Sequence, residues 1–142
     1  TKIETLIEIS HGLWEGKLEN EIKEQWPELL KNWHEKPQEV IMPEGESIGE
    51  VSKRSVKAWK EICLAQKEKD LTLVVAHDAV NKTLICDILG IDFSNIWMIK
   101  QGNGGITVID LFDDPLKDNV ISALNITSHL GGVLDSTASG AL

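Results

Sequence analysis

Apolar residues change their spacing sharply near the middle of this chain. From Leu71 to Ala76 (Leu-Thr-Leu-Val-Val-Ala) they run almost without a break, β-branched residues among them. That pattern predicts a short strand buried on both faces. From Val80 onward they recur at helical spacing: Val80, Leu84 and Ile88, with Ile85 and Leu89 alongside. His77 falls where the period switches. In an open α/β sheet the carboxyl ends of the strands form the ligand crevice. A helix starting there directs unsatisfied N–H groups and the positive end of its dipole at a ligand. That arrangement suits an anion, phosphate above all. A histidine that merely ends a strand and bonds a nearby carbonyl is the plainer alternative, and this segment alone does not separate the two.

The flanking pattern predicts mostly helices. Residues 1–9 alternate without making a secure strand, and Ser10–Gly16 is a turn-rich connection with two glycines. A helix is expected over Leu18–Gln25. A second should open on Pro27, where the missing N–H does no harm, with Trp26, Leu30 and Trp33 as its buried stripe and Pro37 as its end. Ser47 and Glu50 have capping-box spacing and open a long helix over 48–67, with Ile48, Val51, Ser55, Trp59, Ile62 and Cys63 facing inward. Gly90 suits a helix C-terminus. A short helical piece over 92–98, packing Phe93 and Trp97 inward, precedes a glycine-rich loop, Gln101–Gly105. Ile106–Phe112 reads as a second buried strand. After a turn at 113–119, Val120–Ile126 is a third strand able to pair antiparallel with it. The tail from Thr127 is rich in Gly, Ser and Thr and promises little regular structure. Two or three strands are few for a doubly wound sheet, which would cover its helices poorly.

Composition narrows the function classes. The 142 residues, 42% of them hydrophobic, suffice for one domain with a core and argue against disorder. No apolar run approaches the roughly 20 residues of a membrane span, and no basic, apolar leader opens the chain. Cys63 and Cys86 have neither redox nor zinc spacing, which fits a reducing, cytoplasm-like compartment. The net charge of −9 disfavours non-specific nucleic-acid binding. It also requires a local positive site for any phosphate. Thirteen lysines accompany a single arginine, Arg54, too few for a complete phosphate clamp of bidentate guanidinium groups.

Candidate chemistry centres on His77 and Glu8. Glu8 stands just before the Ser10–Gly16 turn, between Ile7 and Ile9, where apolar neighbours would favour a carboxyl able to hold a proton. The plainer reading is an alternating surface position. Glu15 reads as a structural or rim residue; His11, His34 and His129 read as surface histidines. There is no Gly-x-Ser-x-Gly elbow and no Walker loop. Gly102-Asn-Gly-Gly105 precedes a strand instead of following one, against a dinucleotide site. His77-Asp78 is too small a cluster for a metal.

Four segments occur in one order: Leu6-Ile-Glu-Ile-Ser-His-Gly-Leu-Trp-Glu-Gly16; Pro43-Glu-Gly-Glu-Ser47 with Arg54 after it; Val74-Val-Ala-His-Asp-Ala-Val-Asn81; and Gly102-Asn-Gly-Gly-Ile-Thr107. That order resembles the second half of the histidine phosphatase superfamily, in its phosphoglycerate-mutase-like branch. More narrowly, it is similar to the two-domain mutase-like phosphatases of photosynthetic cells, including plant 2-carboxyarabinitol-1-phosphate phosphatases; Leu124–Gly132 adds to that narrower likeness. The resemblance implies an α/β fold, a three-layer α/β/α phosphoglycerate-mutase-like domain, here incomplete, with 1–142 as its second half. It implies phosphoryl transfer from a small phosphorylated molecule through a phosphohistidine, by a phosphatase or a mutase, with no metal and no cofactor. By position, Glu8 matches the general acid and His77 the histidine that binds the phosphoryl group. Asp78 and Ala79, which follow it at the helix start, are expected to bind the phosphate with it, and Asn103 matches a polar residue near the pocket. The family's nucleophile lies in an Arg-His-Gly motif that this sequence does not contain. The expectation is therefore a fragment, inactive alone, with its nucleophile and most phosphate-clamping arginines in a missing N-terminal half. The other reading is a non-catalytic binding or self-assembly module whose open sheet edge pairs with a second copy of the chain. A cytoplasmic or plastid-like location is expected, with no nucleic-acid or membrane partner.

Overall fold

The computed structural model describes residues 1–112 and 119–131. Two compact units are seen, Thr1–Met98 and Ile99–Leu142. The first is helical. It contains α1 (Glu19–Gln25), α2 (Pro27–Glu35), α3 (Ile48–Leu64) and α4 (Asp78–Leu89), with short 3-10 segments at Glu4–Leu6, Gly12–Trp14, Pro37–Glu39 and Phe93–Met98.

Local chemistry accounts for most of these boundaries. Pro27 occupies the first turn of α2, as expected. At the start of α3 the Glu50 carboxylate accepts from the Ser47 N–H at 2.8 Å, while the Ser47 hydroxyl accepts from the Glu50 N–H at 3.2 Å. The capping box is therefore reciprocal. Gly90 ends α4 at φ 63°, a left-handed conformation that glycine adopts without steric cost. The last turn expected of α3, to residue 67, does not form, and Leu64 is exposed at its end.

The core of this unit holds Trp14, Ile22, Trp33, Met42, Ile48 and Val80, all almost fully buried. The rings of Trp14, Trp33 and Trp97 meet edge to face, with centroids 6.4 Å and 5.0 Å apart along the series, a favoured aromatic geometry. Trp97 itself is only partly covered; Ile96 is the residue of its turn that points fully inward. Trp97 donates its indole N–H to the Trp33 carbonyl at 2.9 Å. Between α3 and α4 the buried hydroxyls of Ser55 and Thr83 meet at 3.2 Å.

The expected strand over Leu71–Ala76 does not form. Among the described residues no ladder partner lies beside it, and residues 71–77 have no regular structure. Burial on both faces is also overturned. Leu71, Leu73 and Val75 are 99%, 83% and 81% exposed, while Val74 and Ala76 between them are partly covered. The alternation of a strand survives, with one face open to solvent. An apolar run encodes the wish to be buried, but a strand exists only where a neighbour completes its hydrogen bonds.

The second unit is a β-hairpin, β1 (Ile106–Asp110) with β2 (Val120–Ile126), antiparallel as expected. Its register pairs Ile106 with Ile126 and Asp110 with Val120, with irregularities on either side of Val108. Both strands alternate between exposed and partly covered residues, so β1 is not the buried strand the apolar run suggested. The expected turn at 113–119 lies outside the described residues apart from Asn119, as does the tail beyond Gly131.

Candidate active site

His77 is the residue before α4, in extended conformation (φ −124°, ψ 173°), and its side chain makes no capping hydrogen bond. Its carbonyl accepts the first intrahelical bond, from Asn81 N–H at 2.9 Å. The first-turn amides of Asp78, Ala79 and Val80 thus have no intrahelical acceptor and no side-chain cap. Asp78 and Ala79 are partly covered and follow an exposed histidine, while Val80 is fully buried. Asp78 places a carboxylate at the same helix end, which by itself would repel an anion. Lys82, one turn on, pairs with it at 2.8 Å and lies 5.1 Å from the centre of the Trp97 ring. Lys82 is 12% exposed in this pairing, so the Asp78 charge is offset locally. The pair has the four-residue acid-to-base spacing of one helix face, a signal that the sequence carried and sequence reasoning did not use.

Glu8 lies partly covered in the segment between the first two 3-10 turns. Of its flanking isoleucines, Ile9 is buried but Ile7 is 52% exposed, so the expected apolar enclosure is one-sided. The Glu8 carboxylate accepts from the Ile9 N–H at 2.9 Å. No hydrogen bond or ion pair joins Glu8 to His77 among the described residues.

The Ser10–Gly16 turn is locked to the Pro43–Glu46 turn. Leu13 N–H donates to the Pro43 carbonyl at 2.9 Å, Glu46 N–H to the Ser10 carbonyl at 2.8 Å, and Ser10 N–H to the Glu46 carboxylate at 3.0 Å. Gly12, at φ 56°, lies so near the backbone of Pro43–Gly45 that any side chain would collide with it. Glu15, read as a structural or rim residue, is exposed, and its carboxylate accepts from the Ser10 hydroxyl and the His11 N–H. His11 departs from the surface placement expected. Its ring stands edge-on to Trp33, centroids 6.2 Å apart, and its Nε2 is buried with no hydrogen-bond partner among the described residues.

Arg54 binds Glu46 and backbone carbonyls of the segment before Ser10. The guanidinium holds the Glu46 carboxyl below its ordinary range, aided by the Ser10 N–H. The chain's single arginine is thus engaged inside the protein.

In the second unit Asn103 is exposed in the loop before β1. Asn125 shapes that loop: at φ 51°, its side-chain oxygen accepts from Gly102 N–H at 2.8 Å and blocks any side chain at Gly105. The exposed His129 ring lies 3.0 Å from the Gly104 carbonyl. Among the described residues no group of His, Cys, Asp and Glu could hold a metal ion. No described helix is long and apolar enough to cross a membrane.

This sequence matches the histidine phosphatase superfamily (branch 1) over residues 1–125. The chain belongs to that superfamily. Phosphoserine phosphatase 1 of Hydrogenobacter thermophilus is 36% identical over 130 residues, spanning 92% of this chain and 60% of that protein. The 2-carboxy-D-arabinitol-1-phosphatase of Triticum aestivum is 31% identical over 110 residues, spanning 78% of this chain and 22% of that protein. The solved structure of Bacillus stearothermophilus YhfR superposes with a TM-score of 0.83 at 25% identity, covering 91% of this chain and 62% of that one. The α/β fold is therefore phosphoglycerate-mutase-like, and the chain spans less than two thirds of each of these relatives.

Proposed function

We propose that residues 1–142 supply the general acid and a phosphate-binding histidine to a phosphomonoesterase working through a phosphohistidine, whose nucleophile lies in sequence outside these residues. The observation that carries this reading is the exposed His77 imidazole beside the open first-turn amides of α4. A phosphoryl group spreading charge over its oxygens needs oriented donors of this kind. In the first step a histidine nitrogen bonds to phosphorus and the ester P–O bond breaks, Glu8 giving its proton to the leaving alkoxide. In the second, Glu8 takes a proton from a water whose oxygen bonds to phosphorus, the P–N bond breaks and phosphate leaves. Both named relatives are phosphatases of small phosphorylated molecules, which favours hydrolysis over mutase chemistry and a small phosphomonoester as substrate. The two free cysteines favour a reducing compartment.

The test is turnover of phosphoserine and other small phosphomonoesters by the full-length gene product. His77→Ala should lower kcat/KM by about 100-fold or more, on the scale of losing a transition-state donor. Unchanged turnover would remove His77 from the mechanism. Residues 1–142 alone should show none, and steady turnover by them would overturn the placement of the nucleophile elsewhere.

A second reading, self-assembly, is favoured by one feature: the open face of Leu71, Leu73 and Val75. In it the isolated chain pairs with a second copy through this segment.

A further inference from the structure

Arg54 is seven residues into the long helix α3 and far in sequence from Glu8, yet its guanidinium faces the backbone that carries Glu8. Nη1 donates to the carbonyls of Thr5 and Ile7 at 2.9 and 2.7 Å, and Nη2 donates to the carbonyl of Glu8 at 3.1 Å. The remaining donors form a two-pronged pair with Glu46, Nε at 2.8 Å and Nη2 at 2.9 Å. All the N–H groups a guanidinium possesses are thereby used. Glu46 completes the clamp from the other side by accepting the Ser10 N–H. One ion pair therefore grips the chain at Glu8 and again two residues later. Its side chains are only 18% and 26% exposed, so solvent screens it less than an open surface pair.

This geometry leaves Arg54 no donor for a substrate phosphate. We infer that Arg54, through Glu46 and the carbonyls of residues 5, 7 and 8, is a positioning residue for the Glu8 general acid. The inference rests on the role proposed for Glu8. A carboxyl on a short irregular segment has no helix or sheet to fix it, and the paired side chains take that part. Lysine cannot replace arginine here, because a compact ammonium lacks the planar fork that reaches a carboxylate and several carbonyls at once. Small displacements of a catalytic group cost heavily, about 100-fold for 1 Å.

A general acid matters for a leaving alkoxide and little for a leaving phenolate that departs without a proton. The experiment therefore compares an alkyl phosphate with an aryl phosphate, using the full-length protein. Arg54→Lys and Glu46→Gln should each lower the alkyl-to-aryl ratio of kcat/KM, which reports the step in which the leaving group departs, by about 10-fold or more. In a Glu8→Gln background, Arg54→Lys should not change that ratio further. Equal losses on both esters, or an Arg54→Lys effect on the ratio that persists without the Glu8 carboxyl, would overturn the inference and leave the pair a structural brace. Should Arg54→Lys fail to fold, Glu46→Gln carries the same comparison. If Glu8→Gln itself leaves the ratio unchanged, the general-acid role falls and this inference with it. If Glu8→Gln lowers the ratio but neither clamp variant does, only the positioning role is lost.

Discussion

Glu46 shows how much one side chain can decide. Its carboxylate joins Arg54 on α3 to the Ser10 amide, and that bonding holds its pKa below the ordinary glutamate value of 4.5. A carboxyl whose folded pKa is depressed stabilises the fold fully above its unfolded pKa and loses that contribution as pH falls through the folded one. Stability to urea should therefore drop as pH falls below about 4.5. Glu46→Gln should be less stable at neutral pH and show a shallower acid loss, measured as urea midpoint against pH. Glu50 and Asp92, also held low by hydrogen bonds to serines, add to the same limb, so the variant flattens the curve without abolishing it. Neither partner's part in this network follows from spacing. Sequence placed Glu46 and Arg54 in one motif, but only the fold shows the guanidinium turned toward residues 5–8.

Elements whose ends rest on neighbouring residues formed where the pattern put them. The Ser47–Glu50 exchange defines the start of α3, the helix from which Arg54 projects. Ser47→Ala removes an acceptor for the Glu50 N–H and should cost about 1 kcal/mol, read as a lower urea midpoint with unchanged slope. Because α3 also presents Ser55 to Thr83 of α4, fraying at its start is felt first near Glu46 and Arg54. The segment before α4 behaves differently. Leu71–Ala76 carries a strong strand pattern and no ladder, because the hydrogen bonds of a strand are made by another strand and not by its own sequence neighbours.

At the scale of the whole molecule, the exposed row of Leu71, Leu73 and Val75 is an apolar edge of the kind that pairs with other chains. Isolated residues 1–142 should self-associate with rising concentration in sedimentation velocity, and Leu73→Lys should shift them toward monomer. A monomer at every concentration, before any substitution, would refute this. In the full-length protein the same substitution should destabilise instead, if sequence outside these residues covers the segment. The chain spans 60% of the Hydrogenobacter relative and contains no Arg-His-Gly, so the activity proposed above is tested on the full-length gene product.

The sequence by itself determined what short-range chemistry controls. That comprises Pro27 at the start of α2, the capping box of α3, the glycine end of α4, the pairing of β1 with β2, and His77 at the head of a helix. Each depends on contacts within a few residues or across a hairpin, which spacing makes visible. The ordered motifs carried the family for the same reason. Only the tertiary structure decided that Arg54 serves the Glu8 segment, that the His11 ring turns onto Trp33, and that one face of Leu71–Ala76 stands open. These depend on residues brought together from distant parts of the chain, and hydrophobic periodicity carries no record of such partners.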